Sequence, residues 1–397
     1  MLKPITNITI TQQNRAENKT LFFDFVHLWE FAQNWEDLSA QGKITLPKNI
    51  YVVDETTKRR YSLFGVNKNI GGFNSESILK RGDKVKIETY YVYWDENLNE
   101  KQTPKTIIVE GYITKVSSGM PIVIEFEDSM YLLKQTPMIN GAFKGTQSIE
   151  SILNDALKVT NATFGTNLTC STTSNTLITW TNALIIAENE TIATFLAKLK
   201  KDAFVFSYFK DNVLRIGRII YIESEAQTKV FEFQNNIISS DLEYSRKDDV
   251  VLSAVASNHI EENNGVTKDG KQKTKNTRLE VLVTIKNDVV VSKIVNQHEK
   301  PDPNTDGERR TFHFLEAKTT DELIKLATET LKRYYYTGFK GKFTTFGTPY
   351  VSFGDNAKIV NLILPEQNGT YKIKGVSYSG GVDGYRQIIE LDYRLNI

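Results

Sequence analysis

Apolar and polar positions alternate in short runs over most of this chain, and Gly, Pro, Asn or Asp breaks almost every run, the pattern of antiparallel strands joined by tight turns. It is densest near the C-terminus, in Gly338-Phe-Lys-Gly-Lys-Phe343, in Phe346-Gly-Thr-Pro-Tyr-Val-Ser-Phe-Gly-Asp355 and, after a short loop, in the segment from Gly369 to Gly381. These stretches predict a closing meander. At the other end Ile5 to Thr11 alternates, Leu21 to Trp29 carries a dense aromatic set continued by Phe31 and Trp35, and Leu46-Pro47 ends a segment. Aromatics so placed fill a core or a subunit contact more often than a ligand cleft. Ile50 to Val53 and Tyr61 to Phe64 predict a hairpin about the polar turn Asp54 to Arg60, and Gly71-Gly72 marks a loop.

The two ends share a grammar. Gly82-Asp-Lys-Val-Lys-Ile87 matches Gly354-Asp-Asn-Ala-Lys-Ile359 at the glycine, the aspartate, the second lysine and the isoleucine. A second strand reaching a glycine follows each copy, Val109-Glu-Gly111 and Ile373-Lys-Gly375, and then a third, Ile124-Glu-Phe-Glu-Asp128 beside Ile389-Glu-Leu-Asp392. Gly-Asp is also a common turn dipeptide, so coincidence is the rival explanation. Three correspondences in one order point to an internal duplication, and their long spacing rules out a solenoid of adjacent units.

Between the copies the period changes. Ile149, Ile152, Leu153, Ala156 and Leu157 share one helical face behind Ser148 as N-cap, and Ile192, Phe195, Leu196 and Leu199 form a second amphipathic helix, which runs into a hairpin, Phe204 to Ile216, turned at Asp211-Asn212. Beyond Val230 strands return, interrupted by two polar stretches, Glu261 to Thr277 and Gln297 to Arg310, expected to be mobile or ordered only by a partner. Residues 319–336 predict a long helix, capped by Thr319 or Thr320, with acids in its first turn and Lys332-Arg333 in its last. The expected fold is α+β and mainly β: a first β-barrel-like domain at 1–135, an inserted α/β module at 136–225, and a second β-barrel-like domain at 226–397 carrying the long helix. The expected structural turns rest on Gly82, Asp83, Gly111, Gly347, Pro349, Gly354, Asp355 and Gly375, with Gly354 at positive φ.

Composition removes more functions than it suggests. The 397 residues suffice for two to four domains, and a net charge of +1 offers no bulk field for nucleic acid or anionic membrane. One cysteine, Cys170, excludes an intrachain disulfide and a Cys-based zinc site. The four histidines, His27, His259, His298 and His313, share no metal-ligand spacing. The N-terminus lacks the apolar core of a secretion signal and no window is long enough to span a bilayer, so cytoplasmic synthesis is expected and the Asn-X-Thr triplets at Asn7, Asn18, Asn161, Asn167, Asn189 and Asn368 read as compositional. No P-loop motif occurs, and Gly375-Val-Ser-Tyr-Ser379 lacks the last glycine of a nucleophile elbow. Glu125, Glu127 and Asp128 are close enough to suggest a glycosidase pair, but Glu125 and Glu127 at strand spacing share a face beside lysines, as solvated or subunit-facing charge does. The run Tyr334-Tyr-Tyr336 suits packing at the end of a helix better than a base-stacking platform.

The first β unit with Val109-Glu-Gly-Tyr-Ile113, the inserted two-helix module, the long helix ending in an Arg-Tyr cluster, and the turn Gly347-Thr-Pro349 to Gly354-Asp355 together resemble the baseplate-hub proteins of contractile tails, the late-control D family of phages, whose relatives form the hub half of type VI secretion spikes. The resemblance is architectural over most of the chain and specific only in the last stretch. It implies a homotrimer whose subunits each supply two tail-tube-like domains, a ring of six similar faces adapting a six-fold tail tube to a three-fold central spike protein. The implied partners are the spike, the tail tube protein, other baseplate proteins and the tape measure, with DNA passing through the channel without sequence-specific binding and no membrane insertion. The implied location is the virion tail, after assembly in the host cytoplasm. No cofactor and no catalytic residue come with the resemblance, and the absence of a spike segment after Leu395-Asn-Ile397 implies that spike and any cell-wall hydrolase are separate polypeptides. Channel-facing side chains are then expected to be mixed polar, without a basic stripe. Two other readings stay open: a carbohydrate-binding or adhesin-like tail-tip protein using Trp29, Trp35, Trp94 and Trp180, and a glycoside hydrolase using the acids around Glu125.

Overall fold

A computed structural model describes residues 2–15, 17–23, 25–47, 50–62, 78–117, 119–139, 141–143, 148–173, 184–186, 189–203, 205–217, 221–266, 272–295, 307–314, 317 and 319–395. Strand accounts for 52% and helix for 16%, so the fold is α+β and mainly β. Gly71-Gly72, Trp180 and the centres of both polar stretches lie outside the described residues.

The first half contains β1 (Leu2–Thr11), β2 (Thr20–Phe23), β3 (Leu28–Asn34), β4 (Gln41–Leu46), β5 (Tyr51–Asp54), β6 (Arg60–Ser62), β7 (Lys84–Trp94), β8 (Glu100–Gln102), β9 (Thr106–Val116) and β10 (Ile122–Glu127). In β7 the alternation is strict: Val85, Ile87, Thr89 and Tyr91 are buried while Lys84, Lys86 and Glu88 face outward. The middle contains α1 (Met130–Leu133), β11 (Gly141–Phe143), α2 (Ile149–Phe164), β12 (Thr169–Thr172), β13 (Leu184–Ile186), α3 (Ile192–Ala203), β14 (Phe206–Lys210) and β15 (Val213–Gly217). Ser148 caps α2 by accepting from Ser151 N, and Gly165 closes it at φ 64°, where an L side chain would be strained. The apolar faces of α2 and α3 meet in a core of their own with Met130, Leu133, Cys170 and Leu214. Asp211 and Asn212, both at positive φ, turn the β14–β15 hairpin.

The second half contains β16 (Thr228–Glu232), β17 (Ile237–Ser245), β18 (Leu252–Val266), β19 (Gln272–Lys286), β20 (Val289–Ile294), β21 (Glu308–His313), α4 (Thr320–Lys332), β22 (Gly338–Phe346), β23 (Asn356–Val360), β24 (Gly369–Gly381) and β25 (Arg386–Leu395). The polar stretch Glu261 to Thr277, expected as a mobile loop, instead supplies the ends of two 15-residue strands, β18 and β19. Main-chain pairing carries a segment that is polar at odd and even positions alike, so composition alone reads as loop. Strands β18 to β21 form a separate sheet on which α4 lies, burying Leu323, Ala327 and Leu331 against Leu252, Ala254, Val281 and Val283. The long helix ends at Lys332, four residues short of the expected 336. Tyr334 N and Tyr335 N make turn bonds, and the Tyr336 hydroxyl lies within hydrogen-bond distance of Phe339 O and Asp392 O, drawing the chain into β22.

Among the described residues sixteen strands form one sheet, ordered β17-β22-β25-β24-β3-β4-β10-β9-β7-β1-β2-β5-β6, with β23 on β24, β16 on β23 and β8 on β7. Within it five strands recur in the same chain order and with the same antiparallel partners: β3, β4, β7, β9, β10 and then β17, β22, β23, β24, β25. The sixth position differs in sense. Strand β1 runs antiparallel to β7, whereas β16 runs parallel to β23, because the chain enters the second half from the inserted module at the opposite end of that slot. Both halves share one buried core that runs from Ile8 and Trp29 to Ile389 and Leu391.

Candidate functional site: two matched turns and the joint between the halves

Each half is anchored by its Gly-Asp turn. Gly82 has φ 90° and Gly354 φ 86°, a region open to glycine at little cost, so the chain can reverse tightly before β7 and before β23. The aspartate that follows gathers main-chain donors. Lys80 N donates to Asp83 Oδ2 at 2.9 Å and Gln13 N to Oδ1 at 3.1 Å; Ser352 N donates to Asp355 Oδ2 at 2.8 Å and Gln227 N to Oδ1 at 3.0 Å. The main chain repeats as well. Gly82 N donates to Ile113 O and Ile113 N to Asp83 O, as Gly354 N donates to Ile373 O and Ile373 N to Asp355 O. A carboxylate held by several N–H groups locks a loop that would otherwise leave buried donors unmet.

These bonds also fix the true correspondence of the second strand. Ile113 matches Ile373, so Gly375 is the counterpart of Lys115 and not of Gly111, which the sequence pattern had paired with it. The glycines meet different neighbours: a Cβ on Gly111 would lie 2.2 Å from Glu127 O, one on Gly375 2.9 Å from Gln33 O. The third strands keep the expected register, since Glu125 stands opposite Lys115 and Glu390 opposite its counterpart Gly375.

The halves differ in the cation beside the turn. Arg15 places Nη1 2.5 Å and Nη2 2.9 Å from the carboxylate of Asp83, with 6% of its side chain exposed and none of the aspartate's. In the second half the buried Lys372 donates from Nζ to Gly354 O at 3.3 Å and lies 5.5 Å from the centre of the Tyr221 ring. The Tyr221 hydroxyl donates to Asp392, whose carboxyl burial pushes above the usual carboxylate range.

The joint itself is β24 laid along β3, from Gly375 opposite Asn34 to Gly381 opposite Leu28. Beneath it Phe126, Phe31, Tyr378 and Tyr350 form a stacked row with centroid spacings of 6.0 Å, 6.3 Å and 5.8 Å. Gly42 leaves the space that the Phe126 ring occupies; a Cβ there would sit 2.2 Å from that ring. Gly347 does the same for Tyr385, at 1.8 Å, and Pro349 O accepts from Gln387 Nε2 at 3.0 Å. Gln387 is fully buried and also bonds Phe346 O and Val351 N, so one amide clamps the whole 346–351 turn. No sequence signal marks that glutamine. Its partners are main-chain atoms some forty residues away.

The outer face of the joined sheet carries charge in alternation. One cross-strand row reads Arg386, Ser379, Glu30, Lys43, Glu125, Lys115, and a second reads Asp241, Lys342, Glu390. Lys43 bonds Glu30 at 2.7 Å, Lys115 bonds Glu125 at 3.2 Å, and Lys374 bonds Glu390 at 3.1 Å. Glu127 is paired with Lys134 at 2.6 Å, and Asp128 accepts from Met130 N and Ala40 N, so the acids singled out for glycosidic chemistry are each engaged in structural bonds. Burial raises the Asp128 carboxyl to about 7. Among the candidate tryptophans, Trp29 is fully buried, Trp35 packs edge-on against Phe206 at 4.8 Å, and Trp94 is exposed. Among the described residues no three His, Cys, Asp or Glu side chains gather as a metal site, and no helix is long and apolar enough to cross a membrane.

Neither protein-family models nor curated protein sequences give a match to this chain. Solved structures do. A tail protein from Neisseria meningitidis MC58 is similar over 99% of this chain and 97% of its own, with TM-score 0.55 and 10% identity. The 43 kDa tail protein of prophage MuSo2 from Shewanella oneidensis is similar over 98% of both chains, with TM-score 0.53 and 13% identity. The E. coli c3393 protein, a type VI secretion component structurally similar to the T4 bacteriophage tail proteins gp27 and gp5, matches 98% of this chain and 77% of its own at TM-score 0.50 and 10% identity. The class of fold is therefore that of tail proteins. The likeness is one of fold, and it covers nearly the whole chain, inserted module included.

Proposed function

We propose that this chain is the structural hub of a phage tail or a related contractile injection machine, acting as a homotrimeric ring of six similar faces between the tail tube and the central spike protein. The observation that carries the reading is the edge-to-edge joining of two equivalent five-strand units in one sheet, which gives three copies the faces of six. The domain division 1–135, 136–225 and 226–397 belongs to the same proposal, with the inserted module and the β18–β21 sheet with its helix as outer layers around the ring. Gly82, Asp83, Gly111, Gly347, Pro349, Gly354, Asp355 and Gly375 hold the ring strands in shape, and no residue acts catalytically.

The charge-alternating face supports a role as channel lining. Neighbouring positive and negative side chains cancel at close range, so a passing polyanion or tape-measure protein meets no basic stripe on which to stall. Other baseplate proteins contact the outer layers, no membrane is entered, and the assembled particle is the virion tail, built in the host cytoplasm. The adhesin-like reading loses support with the burial of Trp29.

Light scattering on the purified chain tests this. The expected mass is three times the 45.2 kDa of one chain. A single-chain mass maintained at high concentration overturns the ring.

A further inference from the structure

The internal repeat identifies an edge left open among the described residues of the single chain. Matching β4 to β22 through their ladders with β10 and β25 makes Lys43 the counterpart of Lys342, and hence Glu30 of Asp241 and Asn34 of Ser245. Strand β3 is thus the counterpart of β17, but their surroundings differ. The outer edge of β3 is filled by β24, and Trp29 is fully buried there. Strand β17 ends the sheet path, and Ser240, the counterpart of Trp29, is exposed. Its nine residues include no Pro and no Lys, two of the devices by which edge strands refuse partners, and its bulge lies at the far end, between Ile237 and Ser239, away from Glu243 to Ser245. The chain cannot fill this edge with the counterpart of β24, because that strand, β9, lies between β10 and β7 in the interior of the same sheet path. The ladder of β9 with β7 reaches Tyr112, short of Lys115 and Val116.

We propose that β17 pairs antiparallel with the β9–β10 hairpin of a second copy of this chain, in the register that β3 and β24 use within one chain, with the strands standing slightly farther apart at Lys115 because a Cβ at its counterpart Gly375 would lie 2.9 Å from main-chain oxygen. The proposal rests on the ring reading and names its contact. Since Gly375 stands opposite Asn34 and Val376 opposite Gln33, Lys115 of one copy stands opposite Ser245 of the next, Val116 opposite Tyr244, and Ser117 opposite Glu243. Lys115, with 66% of its side chain exposed, then lies diagonal to Glu243 and extends the alternating row from one copy to the next. Each copy offers one donor and one acceptor edge, so the contact is heterologous and repeats until it closes.

The test is made on the full chain carrying Lys115→Cys together with Ser245→Cys, oxidised at concentrations where the protein associates; Cys170 is buried and stays out of the reaction. Covalent multimers ending at one closed size are expected, and each single variant is expected to give none. Independently, Glu243→Lys is expected to weaken association by up to roughly fivefold and Lys115→Glu in the same chain to restore it. Association without 115–245 bonds or charge rescue overturns this register while leaving the ring. A chain that never associates overturns both.

Discussion

The two halves of the main sheet solve the same turn problem with different charges. In the first, the carboxylate of Asp83 is enclosed together with the guanidinium of Arg15, a fork matched to two oxygens. In the second, Asp355 is held by the main-chain donors Ser352 N and Gln227 N, and Lys372 supports the neighbouring carbonyl of Gly354. The shared part, an aspartate collecting N–H groups three residues back and from just outside the end of a flanking strand, is what the fold requires. The cation is what each half adds for its own surroundings.

The largest expected difference between the halves follows from this. Asp83→Ala leaves a buried guanidinium without its counter-charge and is expected to cost about 3–5 kcal/mol, whereas Asp355→Ala, which frees two main-chain donors, is expected to cost about 1–3 kcal/mol; urea denaturation of both variants measures the gap. Equal losses would show that Arg15 finds other partners. A smaller and equal effect is expected at the glycines. A Cβ on Gly82 would meet the Tyr131 hydroxyl at 3.4 Å and one on Gly354 the Tyr221 ring at 3.8 Å, so there is room for it and only the positive φ resists. Alanine at either site should cost about 1–2 kcal/mol and a β-branched residue more. A much larger loss at one site alone would separate the two turns.

The smallest effect, taken per pH unit, concerns Asp128. Asp128 borders a cleft of about 550 Å³ between the halves and the inserted module, so water reaches its edge and limits the effect of burial. With its carboxyl raised to about 7, the folded chain binds a proton more tightly than the unfolded chain between pH of about 4 and 7. Stability from this group is therefore present at low pH and lost as pH rises towards 7, by no more than about 1 kcal/mol per pH unit. Thermal unfolding across pH of about 5 to 8 measures the slope, and Asp128→Asn is expected to flatten it. An unchanged slope in that variant would assign the pH dependence elsewhere.

Much of this was legible in residue order. Gly82-Asp83 and Gly354-Asp355 are local signals, because a turn needing positive φ and a carboxylate to gather nearby N–H groups is encoded within a few residues. The caps Ser148 and Thr319 are local for the same reason, and both accept the predicted bond. The offset at Gly111 and Gly375 and the reading of Glu261 to Thr277 as loop share one cause. A strand glycine answers to whichever strand lies beside it, and a polar hairpin exists through pairing that composition does not express.

By itself the sequence determined that the chain is mainly β, that one unit occurs twice, and where its turns and amphipathic helices lie, since each depends on contacts a few residues apart. Only the tertiary structure decided that β24 reaches across to β3 and stacks Tyr378 on Phe31, that Gln387 clamps a distant turn, and that β17 has an open edge among the described residues. Those outcomes depend on which surfaces meet after tens to hundreds of residues of intervening chain, and the free energy of that meeting lies in shape and burial rather than in local pattern.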